Sequence, residues 1–324
     1  MKYQPPFEIT PSILNQVSLI SEKVAELSLT EQHLSPQLRK TNKIKTITGT
    51  LQIEGNTLTE AQVSAILEGK RVLGSARELA EVQGAIAAYE QLKQFEPGST
   101  DDLLKAHALL MGDILKNAGH FRSQSVGVHQ GEKVIHVAPP AHRVSGLMAD
   151  LLSWLDGSEH HPLISSSVFH YEFEFIHPFM DGNGRMGRLW QTLILSRWKP
   201  VFEHLPLESI IRDHQQAYYQ ALAQADNEAG ATAFITFMLD AILQTLDKNA
   251  PVNALENAPV NLDGLKTTEA ILALVAHNGQ ITRQEMAKRI GKDIRTIGRA
   301  IKQLQDKQQL KRVGSDKTGH WEVL

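Results

Sequence analysis

The chain has 324 residues, 42% of them hydrophobic and 21% charged, a balance that supports a sizeable core and suits two or three domains. Its formal net charge is −3, so the chain as a whole is no nucleic-acid coat, although an average can hide a basic module. It contains no cysteine, which excludes a disulfide, a thiolate nucleophile and a thiolate metal site. MKYQPPFEIT carries no apolar signal region and no apolar run reaches bilayer length, so the expectation is a cytoplasmic protein without membrane contact.

Helical periodicity dominates. Ile13, Val17, Ile20, Val24, Leu27 and Leu29 predict a helix within 13–35, and a second is expected over 40–54. Thr57 or Thr59 heads a third as its N-cap. Two more are expected over 75–95 and 100–116, divided by Pro97-Gly98-Ser99, with Ser99 or Thr100 as the cap. Segment 123–138 departs from the pattern. Ser125-Val-Gly-Val-His and Lys133-Val-Ile-His-Val read as a short β-hairpin turning at Gly131, and Pro139-Pro140 ends it. Helices are expected again at 143–156, 162–176 and 184–198, and on through about residue 245.

The Asn-, Pro- and Ala-rich stretch 248–264 reads as a linker. Beyond it come a helix over 267–277, a second opened by a Thr282/Glu285 capping box and broken at Gly291, and a third over 293–306. A strand pair at 310–313 and 320–323 completes the order of a winged helix-turn-helix.

The segment richest in chemistry is His177-Pro-Phe-Met-Asp-Gly-Asn-Gly-Arg-Met-Gly-Arg188. His177 precedes a proline, which pushes it out of helical geometry and starts a loop. Gly182-Asn183-Gly184 forms a tight turn into a new helix, and a glycine-rich turn at a helix N-terminus is an anion site. Arg185 and Arg188 stand three residues apart, so both leave the first helical turn on one face and suit a polyphosphate. Asp181 offers a hard oxygen ligand for Mg²⁺ held jointly with phosphates. His177 is the one group of the loop whose ordinary pKa lies near neutrality, which makes it the natural general base.

This run resembles the Fic-family active-site motif, HPF-x-[DE]-GNGR-x-x-R, at every specified position. The resemblance implies a mainly α fold: a Fic helical core with a short β-hairpin flap, followed by a small winged helix-turn-helix domain. The expected layout is an N-terminal helical region over 1–110, a catalytic core over 111–247 with its flap at 123–138, a linker at 248–264 and the winged module at 265–324.

The resemblance implies transfer of AMP from ATP, with Mg²⁺, onto a hydroxyl of a protein target or of the chain itself. His177 would be the base, Asp181 the metal ligand, and Gly182, Asn183 and Gly184 the anion hole. Arg185 and Arg188 would hold the outer phosphates, and Phe179 would anchor the loop. Gly119-His-Phe-Arg122 with the hairpin resembles the family's flap, which implies target binding by strand addition along Val134, Ile135, His136 and Val137.

A second feature, Thr50-Leu-Gln-Ile-Glu54-Gly55, resembles the family's inhibitory motif, [ST]-x-x-x-E-[GN], on a helix near 42–55. The resemblance implies that Glu54 pairs with Arg188 and takes the place of the γ-phosphate. Thr50 and Glu54 share a helix face, and Gly55 suits the position just past the helix end. Some relatives with this arrangement also use the glutamate to remove AMP, a point the sequence leaves open.

Residues 265–324 are net basic in a net acidic chain, with Asp293, Arg295, Thr296, Arg299 and Lys302 on the expected recognition helix and Lys311, Arg312 and Lys317 on the wing. The fold docks proteins as well as DNA, so both partners are carried forward. A nucleotide-sensing, DNA-binding transcription regulator built on the Fic core is the alternative function. A toxin-like enzyme under a separate partner's control, and transfer of UMP or phosphocholine, are further variants. A homodimer is also expected. His107 and His170 are read as packing or polar-network residues, and His142, His160, His161 and His204 show no metal spacing, so no zinc site is inferred.

Overall fold

The computed structural model of the chain describes residues 3–30, 36–130, 133–249, 262, 265–277, 279, 281–313 and 320–323. The chain divides into two compact units, Met1–Asn249 and Ala250–Leu324. Both are mainly helical, each with one antiparallel strand pair among the described residues.

The first unit runs α1 (Pro11–Thr30), α2 (Pro36–Ile53), α3 (Glu60–Leu67), α4 (Ala76–Glu90) and α5 (Thr100–Met111). The hairpin β1 (Gly127–Gln130) and β2 (Lys133–Val137) follows. Then come α6 (Ala141–Asp156), α7 (Pro162–Ile176), α8 (Asn183–Trp198), α9 (Leu207–Asp213), α10 (Gln215–Glu228) and α11 (Thr232–Asn249).

Local chemistry explains the boundaries. Thr59 and Ser75 each close a capping box, with Gln62 and Glu78, and Ser99 accepts from the Asp102 N–H at the head of α5. Two helices are shorter than their periodicity predicts. Past Glu90 the chain tightens into a 3-10 turn at Leu92–Gln94 that drops Phe95 into the core. Past Met111 the N–H groups of Ile114 and Leu115 both return to the Met111 carbonyl, which closes a turn instead of extending α5.

Helices α7 and α8 pack against each other at the centre. The whole run from Leu163 to Phe173 is buried, so α7 has no solvent stripe and behaves as a core helix. Phe169, Phe173, Phe179, Trp190 and Phe234 fill the interior, and the Trp190 N–H finds the Pro97 carbonyl at 2.9 Å. Helix α2 is part of this core through Ile44, Ile47, Leu51 and Ile53. It lies so close to α9 that a Cβ on Gly49 would sit 2.8 Å from the backbone of Glu208 and Ser209.

In the hairpin, Val128 faces His136 and His129 faces Val134, so Ile135 is a bulged residue. The turn expected at Gly131 lies outside the described residues, as do the side chains of Val134, Ile135 and His136. Val137 is exposed. The expected linker 248–264 also lies outside the described residues apart from its first two positions and Leu262.

The second unit holds α12 (Thr267–His277), α13 (Arg283–Ile290), α14 (Ile294–Asp306), β3 (Leu310–Val313) and β4 (His320–Val323). Ile271, Leu274, Met286, Ile297, Ile301, Leu304, Leu310 and Trp321 form its core. The Thr282/Glu285 capping box is present, and Gly291 ends α13 in the left-handed region at φ 70°. Asp293 caps α14. The Arg312 guanidinium lies 4.9 Å from the centre of the Trp321 ring. Lys317 lies outside the described residues.

Candidate active site

The His177–Arg188 segment is the loop between the two central helices, so the core itself positions it. His177 caps the C-terminus of α7 in the left-handed region at φ 50°, with its N–H on the Phe173 carbonyl. The proline after it accounts for the end of the helix, while its usual effect would be extended backbone, not the left-handed geometry seen at His177. Phe179 is fully buried, and its backbone is zipped to the Asn183 side chain. The Phe179 N–H donates to Asn183 Oδ1 at 2.8 Å, and Asn183 Nδ2 donates to the Phe179 carbonyl at 2.9 Å. Asn183 therefore shapes the loop with its side chain and leaves its backbone for a ligand.

Gly182 sits at φ 84°, and a Cβ there would meet Met111 Sδ at 2.8 Å, so both conformation and space call for glycine. The first intrahelical bond of α8 runs from the Met186 N–H to the Gly182 carbonyl. The N–H groups of Asn183, Gly184 and Arg185 thus have no intrahelical acceptor, and they point out of the positive end of the helix.

The two arginines are buried but held by different elements. Arg188 turns to α2. Its Nε donates to Thr50 Oγ1 at 2.9 Å, and its Nη2 donates to the Thr50 carbonyl at 3.1 Å and to Glu54 Oε1 at 2.6 Å. Burial pulls the Arg188 pKa down, the Glu54 carboxylate pushes it up, and the net displacement is upward. A Cβ on Gly184 would collide with Glu54 Oε1, so the carboxylate lies directly against the glycine turn.

Arg185 turns to α4 and Asp181. Its Nη2 donates to Asp181 Oδ1 at 3.2 Å, and its Nη1 lies 3.4 Å from Glu81 Oε1. Its Nε and Nη1 are buried without a hydrogen-bond partner. Asp181 is partly exposed. Its Oδ1 also accepts from the Gly182 N–H, and its Oδ2 accepts from Arg77 Nη2 at 2.9 Å.

Two further side chains hold the loop, and the sequence reading gave neither this task. His107 of α5 stacks on Phe179 with ring centres 3.7 Å apart. Its Nδ1 accepts from the Gly119 N–H, which leaves Nε2 protonated and facing the Asp181 carbonyl at 3.1 Å. Burial pushes its pKa down to about 4, so the imidazole is neutral at pH 7. Arg122 is buried and donates to the carbonyls of Gln124, Pro139, Ile176 and His177. It ties the foot of the hairpin to the first residue of the loop. The run ending in Arg122 is the sequence signal for this tie; the sequence reads His107 as a packing or polar-network residue, without its link to the loop.

Beneath Arg188 lies a buried polar floor. His170 contacts Gln191 through Nδ1 and the Tyr218 hydroxyl through Nε2, and burial pushes its pKa down to about 3.

Comparison with known proteins agrees with this geometry. A family model described as Fic/DOC family matches residues 97–195, and one described as Winged helix-turn-helix DNA-binding matches 265–311. The chain is similar to proteins named Protein adenylyltransferase Fic. It is 33% identical to those of Culex quinquefasciatus and Aedes aegypti over 208 residues, covering 60% of this chain and 39% of each relative. The chain thus spans about two fifths of the length of these curated relatives. Among solved structures, Fic-1 from C. elegans aligns at 26% identity and TM-score 0.59, over 73% of this chain and 70% of that one. A Fic family protein from Desulfovibrio desulfuricans G20 is 42% identical over 99% of this chain and 98% of its own, with TM-score 0.75. With motif, loop and full-length fold in agreement, the chain belongs to the Fic family.

Proposed function

We propose that the chain is a protein adenylyltransferase that moves AMP from ATP onto a hydroxyl of a target protein or of itself, restrained by Glu54. The observation that carries this reading is the head of α8. Three backbone N–H groups without intrahelical acceptors converge there with Arg185, whose buried Nε has no hydrogen-bond partner and whose Nη1 has only the longer ion-pair contact to Glu81 at 3.4 Å. Buried unsatisfied guanidinium donors are costly, and an anion of several oxygens satisfies them. The names of the relatives supply the anion and the reaction class.

In this reading the polyphosphate lies along the Gly182-Asn183-Gly184 turn, with the outer phosphates on Arg185 and Arg188. His177 takes the proton of the target hydroxyl. That oxygen bonds to the α-phosphorus as the bond to the bridging oxygen breaks, and pyrophosphate departs. Catalysis is then mostly positioning and charge stabilisation. Asp181 fits a metal role because it is partly exposed and, among the described residues, its Oδ2 is held only by the exposed Arg77 side chain. Mg²⁺ there would neutralise phosphate charge when bound. Among the described residues no three His, Asp or Glu side chains gather to hold a metal, so the nucleotide's oxygens would complete its shell. The hairpin would present β2 to the target.

The 2.6 Å Glu54–Arg188 pair supports the restraint. A carboxylate on that guanidinium occupies it and repels the γ-phosphate. The test is auto-modification with α-labelled ATP and Mg²⁺. Label is expected in Glu54→Gly, little in the parent, and none when His177→Ala is added. Equal label in parent and Glu54→Gly would refute the restraint, and undiminished label with His177→Ala would refute the base.

A second reading is favoured by the winged-helix match and by the exposed Arg295, Arg299 and Lys302 on α14. DNA binding through 265–324 would be steeply weakened by salt and would fall when these residues are replaced by alanine. Salt-independent or absent binding would leave protein docking as the module's role. A homodimer and a cytoplasmic location belong to the same proposal. Among the described residues no helix is long and apolar enough to cross a membrane.

A further inference from the structure

Asp181 has two oxygens in different circumstances. Oδ1 is committed inside the loop, to the Gly182 N–H at 2.6 Å and to Arg185 at 3.2 Å. Oδ2 accepts from Arg77 Nη2 at 2.9 Å. Arg77 stands on α4, 104 residues away in sequence, and its side chain is 62% exposed against 37% for Asp181. A positive charge therefore already sits on the oxygen best placed to take a divalent cation.

Arg77 is aimed there by Glu81. The Arg77 Nε donates to Glu81 Oε1 at 3.2 Å, one helical turn along α4. Glu81 is buried, and its Oε1 also lies 3.4 Å from Arg185 Nη1. Its Oε2 accepts from Asn56 Nδ2 at 2.9 Å, two residues past Glu54. Thr57 is held to α4 as well, through Glu78 Oε1. One buried carboxylate thus joins the end of the Glu54 segment, the Arg185 guanidinium and the arginine that covers Asp181.

We infer that Arg77 is a resident counter-cation that holds the metal's place on Asp181, so that a divalent cation binds by displacing it. This rests on the reading of Asp181 as the metal ligand. It adds a second restraint beside Glu54, acting on the cation where Glu54 acts on the γ-phosphate. Displacement needs no change of fold, because the exposed guanidinium swings off Asp181 while its Nε stays on Glu81. A single arginine–carboxylate pair this open to water is weak enough for Mg²⁺ with a nucleotide to win.

The test is a Mn²⁺ titration followed by electron paramagnetic resonance, on the full chain carrying Glu54→Gly and in the presence of α,β-methylene-ATP, which cannot transfer AMP. Arg77→Ala is expected to tighten Mn²⁺ binding by about threefold to fivefold at low salt, the size an exposed ion pair supports. The gain should shrink as NaCl approaches about 1 M, where such pairs are screened. Arg77→Lys keeps a cation in place and should stay near the parent. Unchanged or weaker Mn²⁺ binding in Arg77→Ala, with binding lost in Asp181→Ala, would overturn the counter-cation role alone. Full Mn²⁺ affinity in Asp181→Ala would overturn the metal-ligand reading and this inference together.

Discussion

Glu54 Oε1 lies 2.6 Å from Arg188 Nη2, and the same guanidinium gives its Nε to Thr50, four residues earlier in the last turn of α2. Two residues 134 positions apart in sequence form a charge-assisted bond at the mouth of the glycine turn. Under the proposed function, removing the carboxylate should raise AMP transfer by about 10- to 100-fold, the range that loss of one charge-assisted bond supports. Glu54→Gln keeps the shape without the charge and should fall between the parent and Glu54→Gly. Initial rates with α-labelled ATP check the ranking; a Gln variant faster than Gly would contradict it.

Gly184 provides a separate test, because a Cβ there points at the Glu54 carboxylate. If that carboxylate stands where a phosphate goes, Gly184→Ala excludes both. In the Glu54→Gly background the alanine should weaken ATP binding by about tenfold or more, the cost of one or more lost phosphate bonds. Calorimetric titration reads this directly, and unchanged affinity would place the phosphates elsewhere.

Arg122 should matter for stability and for rate together. Arg122→Ala leaves buried carbonyls of Ile176 and His177 without their donor, a loss of about 2–4 kcal/mol. Urea unfolding would report it. Because His177 loses its backbone tether, transfer should drop at temperatures where the variant is still folded, and full activity there would separate the loop from the tether.

His107 predicts a pH dependence. Its folded pKa of about 4 lies below the ordinary 6.5, so its contribution is fully present above pH 6.5 and fades as pH falls towards 4. The stability difference between the parent and His107→Gln should therefore shrink between pH 7 and pH 5, by about 2 kcal/mol. A difference that stays constant across this interval would mean that the buried imidazole is not the titrating group.

What was legible in the sequence followed the range of the interaction. The loop 177–188 is local, and its proline, glycines and spaced arginines write their geometry into adjacent residues. The Thr282/Glu285 capping box and the N-cap at Thr59, one of the two threonines the sequence offered, are local as well. The end of α5 at Met111 was not readable, since apolar periodicity runs on through Leu115 and only the two returns to the Met111 carbonyl stop the helix. The meeting of Glu54 with Arg188 was expected through family resemblance, because no short-range rule joins residues so distant. His107 and Arg77 reach the loop from α5 and α4, and neither carries a mark that separates it from ordinary helix residues. Only the packing of those helices against the loop reveals them.

The setting of Glu54 also fixes the kind of control that is available. Helix α2 is core along Ile44, Ile47 and Leu51, and at Gly49 it touches the α9 backbone. It cannot be peeled away or clipped off without dismantling the fold. The movable part is one side chain, 30% exposed, just past the helix end. Moving one side chain off its partner needs no rearrangement of the backbone, so it is faster than the microsecond-to-millisecond collective motions that shifting a helix would need. Each molecule would therefore average over held and released states many times per reaction. Output would follow a population, tenfold for every 1.4 kcal/mol of bias, and the protein would respond as a dimmer does, by degrees.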